Sequence, residues 1–270
     1  MKWPQSLTLV RHGESEFNAL KTAKAADPLY RRFLECFNRD AQTFCYCPGN
    51  NSWSVATQKL ALKVWDKYRL PFGDHDTPLT HRGCWQAEQT GIRLPELTAR
   101  PDVIFISPHL RTRQTYADVV KSWPELGKVL CHHDDRIREQ EHGLATVYND
   151  WRLLHVFHPE QRALYLLDGK LNYHYPQGES SLNVWSRGRD FSDKIIRDVR
   201  DHGYQHILVF THHLTILSLR SIFEGWTHER FIEMDEAEKP VNCGVTIYRG
   251  DPDLGADGRL VLDRYNVKLY

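Results

Sequence analysis

The chain reads as an α/β protein, and three observations say so. Short apolar runs alternate with longer stretches of helical spacing, the pattern of strands joined by helices. Each run is rich in Val, Ile, Leu or Phe and short enough for a buried strand. The chain has 270 residues, 41% of them hydrophobic, enough for one large core or two small ones. A single domain over 1–270 is expected.

In chain order, the first strand is SLTLV (6–10), and it runs directly into Arg11, His12 and Gly13. Residues 19–76 then interrupt the rhythm with an aromatic and cysteine-containing loop, FCYCPGNNSW, and a helix over SVATQKLALKVWDKY. A helix over 83–98, the strand VIFI (103–106) and a helix over 109–121 follow, then the strand KVLC (128–131). A second excursion, 144–175, is dense in Tyr, His and Leu. The helix over 183–200 places Leu182, Trp185, Phe191, Ile195 and Val199 close to one face. HILVF (206–210), a helix over 213–224 and VTIY (245–248) complete the set. Insertions as long as 19–76 and 144–175 either fold over a site as a lid or pack on the outside.

Thirty-five basic and thirty-five acidic residues cancel, so no global field draws the chain to nucleic acid or an anionic membrane. Any anion must be held by a local cluster. No apolar run approaches the roughly 20 residues that cross a bilayer, and MKWPQSLTLV does not resemble a signal peptide. A cytoplasmic protein is expected. Six cysteines without CxxC spacing are read as reduced thiols; Cys36, Cys45 and Cys47 lack the second close pair that zinc sites show.

Reactive side chains fall at the carboxyl ends of strands, where ligands bind in open α/β sheets. SLTLV is followed by Arg11 and His12, VIFI by SPHLRTRQT with Arg111 and Arg113, and HILVF by Thr211, His212 and His213. KVLC is followed, after a short link, by DDRIREQEHG with Glu139 and Glu141. Together these supply a phosphoryl-transfer set without a metal or other cofactor. Two guanidinium groups, Arg11 and Arg111, grip and neutralise phosphate oxygens. Neutral His12 attacks phosphorus, provided its other nitrogen is held protonated by an acceptor. His212 donates to an equatorial oxygen. Glu139, kept protonated by the like charge of a bound phosphate, gives the leaving group its proton.

The motifs resemble those of the histidine phosphatase superfamily, the phosphoglycerate mutase-like proteins. LVRHGESEFN, DTPLTHRGCWQAEQTG, SPHLRTRQT, RIREQEHG, PQGESSLNVWSR and FTHH match the family's segments in family order. The resemblance implies a three-layer α/β/α fold with a mostly parallel sheet, and inserted segments near the active site. It implies His12 as nucleophile, Arg11, Asn18 and Arg111 as phosphate ligands, His212 as second histidine and Glu139, rather than Glu141, as proton donor. His213 stands where the family usually has glycine. RIREQ followed by YPQGES resembles a plant and fungal branch.

The implied activity is metal-independent hydrolysis of phosphate monoesters, on a small phosphorylated substrate or a phosphorylated protein. A mutase is the alternative, but no adjacent arginine pair follows EHG, leaving Arg152 or Arg162 as substitutes. A non-catalytic phospho-ligand module would have lost a catalytic group. HHDD (132–135) and GDHD (73–76) carry metal-ligand types, but consecutive residues on an extended chain point in opposite directions. The sequence leaves oligomeric state open.

Overall fold

A computed structural model describes residues 2–48 and 52–270. The elements run β1 (Ser6–Arg11), α1 (Glu16–Ala26), α2 (Pro28–Gln42), α3 (Val55–Lys67), α4 (His81–Arg93), β2 (Val103–Ile106) and α5 (Leu110–Ser122). They continue with β3 (Leu130–His133), α6 (Ala145–Tyr148), α7 (Trp151–Phe157), α8 (Pro159–Asn172), α9 (Ser181–His202) and β4 (His206–Thr211). The chain ends with α10 (His213–Glu224), α11 (His228–Ala237), β5 (Val245–Asp251) and β6 (Arg259–Val267).

The chain divides into two compact units. The first takes the chain up to Ser15, His75–Gln140 and Leu182–Tyr270. Its six strands lie in the order β3-β2-β4-β1-β5-β6. β3, β2, β4 and β1 are mutually parallel, β5 pairs antiparallel with β1, and β6 pairs antiparallel with β5. Alternate residues face opposite sides, and each side has its own core. Val10, Ile104, Ile106, Leu208 and Phe210 meet Ala87 of α4 and Val119 of α5. Leu7, Leu9, Phe105, Ile207 and Val209 meet Phe191, Ile195 and Val199 of α9, and Ile216 and Leu219 of α10. This is the expected three-layer α/β/α arrangement.

The second unit, Glu16–Asp74 and Glu141–Ser181, takes in nearly all of the stretches 19–76 and 144–175. It is helical, built from α1–α3 and α6–α8 around Tyr30, Phe33, Phe37, Trp53, Ala61, Val64, Leu153 and Val156. Phe37 and Trp53 stack at 4.7 Å. Buried Asp150 takes Lys24 Nζ at 3.1 Å and the Tyr30 hydroxyl at 2.5 Å, so its charge is compensated inside the unit. The helix read over SVATQKLALKVWDKY is α3, with Ser54 Oγ accepting from Thr57 N at 3.3 Å as its cap. Residues 49–51 of the FCYCPGNNSW loop lie outside the described residues.

Some boundaries differ from the sequence reading. The third strand starts two residues later than KVLC, because Pro124–Lys128 forms a 3₁₀ turn and Val129 packs into the core. Sequence reasoning missed β6, whose charged and polar residues suit a sheet edge and dilute the apolar signal. On α9, Phe191, Ile195 and Val199 are core, but Val184 is buried where Trp185 was expected. Trp185 turns aside to lie under Arg189, 4.9 Å from ring centre to guanidinium carbon. Among the described residues no helix is long and apolar enough to cross a membrane.

Candidate active site

Register builds the rim. Arg11 of β1 pairs with Thr211 of β4, so the next residues, His12 and His212, leave the sheet side by side. His12 N donates to Thr211 O at 3.0 Å, and the two imidazoles lie 5.2 Å apart. On the other side of β4, Ile106 of β2 pairs with Phe210, and Ser107 N donates to Phe210 O at 3.0 Å. Three adjacent parallel strands therefore end at one level. The loop after Ser107 leads into α5, with Arg111 in its first turn, and His212 itself caps α10. Neither helix start is closed by its N-cap side chain; instead Leu110 N of α5 donates to His75 O at 2.9 Å, and Leu214 N of α10 to the Glu139 carboxylate.

His12 is buried, and its Nδ1 lies 2.7 Å from Gly13 O. A carbonyl only accepts, so Nδ1 carries the proton and Nε2 keeps its lone pair. Arg11 donates through one terminal nitrogen to Pro240 O at 2.6 Å, while its Nε is buried with no partner among the described residues. Burial, and then the charge of Arg111, pull the Arg11 pKa down against the opposing pull of Glu139. His212 is fully buried; Ser107 Oγ sits 2.7 Å from its Nε2, and its Nδ1 has no partner among the described residues. Burial, followed by the charges of Arg111, His109, His12 and Arg11, takes its pKa well below the usual histidine value, so it is neutral at pH 7.

Glu139 is half-buried, with Oε1 accepting from Gln140 N at 3.0 Å and Oε2 from Leu214 N, in the first turn of α10, at 3.4 Å. Its loop is tied down by Arg187, which donates to the carbonyls of Arg136, Arg138 and Glu139 at 2.8–3.1 Å. Thr211 and Thr215 hydroxyls add bonds to Ile137 O and Arg138 O. Five predicted residues, Arg11, His12, Arg111, Glu139 and His212, thus gather in the first unit. Asn18 belongs to the second unit, on α1, where its carbonyl accepts from Thr22 Oγ1 at 3.2 Å. Glu141 also belongs there: its side chain is exposed and its backbone N–H and C=O pair with Glu179.

Comparison with known proteins identifies the family. The profile of the histidine phosphatase superfamily (branch 1) matches residues 63–259. The chain belongs to the histidine phosphatase superfamily. The matched span begins after Arg11 and His12, whose placement rests on the sheet register.

Among curated relatives of this histidine phosphatase-superfamily chain is the phosphoglycerate mutase-like protein AT74H of Arabidopsis thaliana. It is 26% identical over 202 residues, covering 68% of this chain and 67% of the relative. The phosphoglycerate mutase-like protein AT74 of the same plant is 28% identical over 173 residues; the match covers 58% of this chain and about half, 52%, of that protein. Solved structures with the same fold include a mycobacterial glucosyl-3-phosphoglycerate phosphatase in complex with inorganic phosphate. It has a TM-score of 0.60 at 17% identity, with 98% of each chain covered. The alpha-ribazole phosphatase of Shigella flexneri has a TM-score of 0.62 at 17% identity, covering 97% of this chain and 96% of that one.

The superfamily motifs contain residues that sequence reasoning did not assign, and most of them are fasteners. Gln86 Oε1 accepts from Glu14 N at 2.9 Å, Gln114 Oε1 from Leu79 N at 2.8 Å, and Thr115 Oγ1 from Gly13 N at 3.0 Å. Gly13 and Gly83 let α4 approach the first loop: a Cβ on Gly83 would stand 2.1 Å from Glu14 O, and one on Gly13 2.5 Å from Gly83 O. Their position within matching motifs was the available signal. His213 lies 3.0 Å from Asp235 Oδ1 of α11. Arg113 is exposed on α5. Among the described residues, no three His, Cys, Asp or Glu side chains are grouped to hold a metal, and all six cysteines are free thiols.

Proposed function

We propose that this protein hydrolyses phosphate monoesters without a metal, through a phosphohistidine on His12. The carrying observation is a pair of buried polar atoms without a partner among the described residues, Arg11 Nε and His212 Nδ1, on the residues adjoining the His12 imidazole. Buried polar groups are almost always paired, so a rim that leaves two open is built for a ligand with several acceptor oxygens. With Arg111 nearby the site is cationic, which selects an anion.

The Nε2 lone pair of His12 attacks phosphorus as the bond to the leaving oxygen breaks, and Glu139 supplies that oxygen with a proton. Arg11, Arg111 and His212 hold the equatorial oxygens, where the transition state spreads its charge. Water then attacks the phosphohistidine while Glu139 takes back a proton, releasing inorganic phosphate and free His12. Asn18 is proposed as a further phosphate contact on the resemblance of RHGESEFN to the family's first motif alone. The substrate is a small phosphorylated metabolite or a phosphorylated protein. The similar glucosyl-3-phosphoglycerate and alpha-ribazole phosphatases support a small metabolite. Six free thiols suit a cytoplasmic location. Of the candidates for a mutase-type carboxylate grip, Arg152 is already engaged: it lies 3.5 Å from Asp150 Oδ1 and over Trp151.

The test is release of phosphate from p-nitrophenyl phosphate with EDTA present. Activity is expected to persist in chelator, to be inhibited by vanadate, and to fall at least about 10³-fold in His12→Ala. Loss of turnover on chelation, or an active His12→Ala protein, would sink the reading. A screen of phosphorylated metabolites and phosphopeptides, scored against His12→Ala, identifies the substrate class.

A further inference from the structure

Neutral His212 has two tautomers, and only one serves an anion. With the proton on Nε2, the ring donates to Ser107 and leaves a bare lone pair on Nδ1. With the proton on Nδ1, the ring accepts from Ser107 at Nε2 and offers an N–H at its other nitrogen. Nδ1 is the atom with no partner among the described residues. It lies in a rim where Arg11 and Arg111 favour an anionic ligand. A lone pair there repels phosphoryl oxygens, whereas an N–H binds them.

Ser107 has a second neighbour that fits this choice. Its Oγ lies 2.7 Å from His212 Nε2 and 3.4 Å from His109 Nδ1. A hydroxyl has one hydrogen to give and lone pairs with which to accept. If His109 Nδ1–H donates to Ser107, the Ser107 hydrogen is directed to His212 Nε2. His109 is buried, and its ring meets the His212 ring edge-on at 4.7 Å. Pro108 and the start of α5, which His109 caps through its carbonyl, fix its backbone. The exposed His75 ring lies on His109 at 5.1 Å.

We propose that Ser107 and His109 are positioning residues that hold His212 in its Nδ1–H tautomer, through a chain running from His109 Nδ1–H to Ser107 O–H to His212 Nε2. The assignment rests on the phosphatase reading for the purpose of that N–H, but the tautomer itself is measurable without substrate. Protein labelled with ¹⁵N in the imidazoles would be studied by long-range ¹H–¹⁵N correlation, with the His212 signals identified by their loss in His212→Gln.

Wild type is expected to show a protonated Nδ1 and an unprotonated Nε2 at His212. Ser107→Ala should mix the tautomers and lower kcat by at least about tenfold with KM little changed. Ser107→Thr, which keeps the hydroxyl, should restore both. His109→Leu should shift the tautomer ratio in the same direction as Ser107→Ala, and His109→Gln, which keeps a donor, should shift it less. A proton on Nε2 of His212 in the wild type would overturn the proposal, as would an unchanged tautomer in a folded Ser107→Ala protein. A wild type that shows the Nδ1–H tautomer yet hydrolyses nothing would support this assignment and defeat the phosphatase reading.

Discussion

Glu139 and Glu141 stand two positions apart in one motif, and their surroundings separate them. Glu139 acts on Arg11 and sits at the first turn of α10, whereas Glu141 has an exposed side chain in the second unit. Glu139→Gln keeps the shape and removes the proton, so kcat should fall about 10²-fold or more. Glu141→Gln should leave kcat within about threefold. A folded Glu139→Gln protein that keeps the wild-type kcat would defeat the assignment. At this scale the sequence singled out Arg11, His12, Arg111, Glu139 and His212, which the fold brings into one unit, because each has a chemically distinctive head group on a strand end or in the segment that follows a strand. Ser107 and His109 were not, since a serine and a histidine beside a proline read as turn residues until their distances to His212 are known.

The helix α4 depends on a close approach. Gly83, in its first turn, rests against the backbone of Glu14, while Thr80 caps the helix by accepting from Gly83 N at 3.0 Å. Gly83→Ala would place a methyl 2.1 Å from a backbone oxygen, which cannot move aside as a side chain does. The expected loss is about 1–3 kcal/mol, from overpacking at that contact. It should be read as a lower urea midpoint, with kcat also reduced because the displaced loop carries His12. Gly73→Ala, with no atom within 4 Å, is the control and should leave the midpoint unchanged. Elements with strong period signals, such as β1, β2, β4 and α10, were legible. The edge strand β6 and the short helices of the second unit were not, since their burial depends on neighbours distant in sequence.

At the scale of the whole molecule, two buried imidazoles, His212 in the first unit and His155 in the second, have lowered pKa values. His212 is held well below 6.5 by burial and by Arg111. His155 is taken down to about 3 by burial, then by Arg162 and Arg152, and neither of its ring nitrogens has a partner among the described residues. A depressed folded-state pKa means the unfolded chain binds more protons below about pH 6.5. Each group's stabilisation is therefore complete above that pH and lost as pH falls toward the folded value. For His155 the window runs from about 6.5 down to about 3, at up to about 1.4 kcal/mol per pH unit. His155→Phe should flatten part of this acid limb, and urea unfolding at pH 5 and pH 7 would measure it. An acid limb of the same slope in the variant would refute the role of His155.

Sequence by itself determined the α/β class, the family resemblance and which residues are candidates to grip and attack a phosphate. These follow from short-range periodicity and from side chains whose chemistry few other residues can replace. Tertiary structure decided which of them meet. The pairing of Arg11 with Thr211 brings His12 beside His212, although two hundred positions separate them in the chain. It also decided which polar atoms are left open, because hydrogen-bond satisfaction depends on what lies within about 3 Å of an atom, and chain order does not specify that.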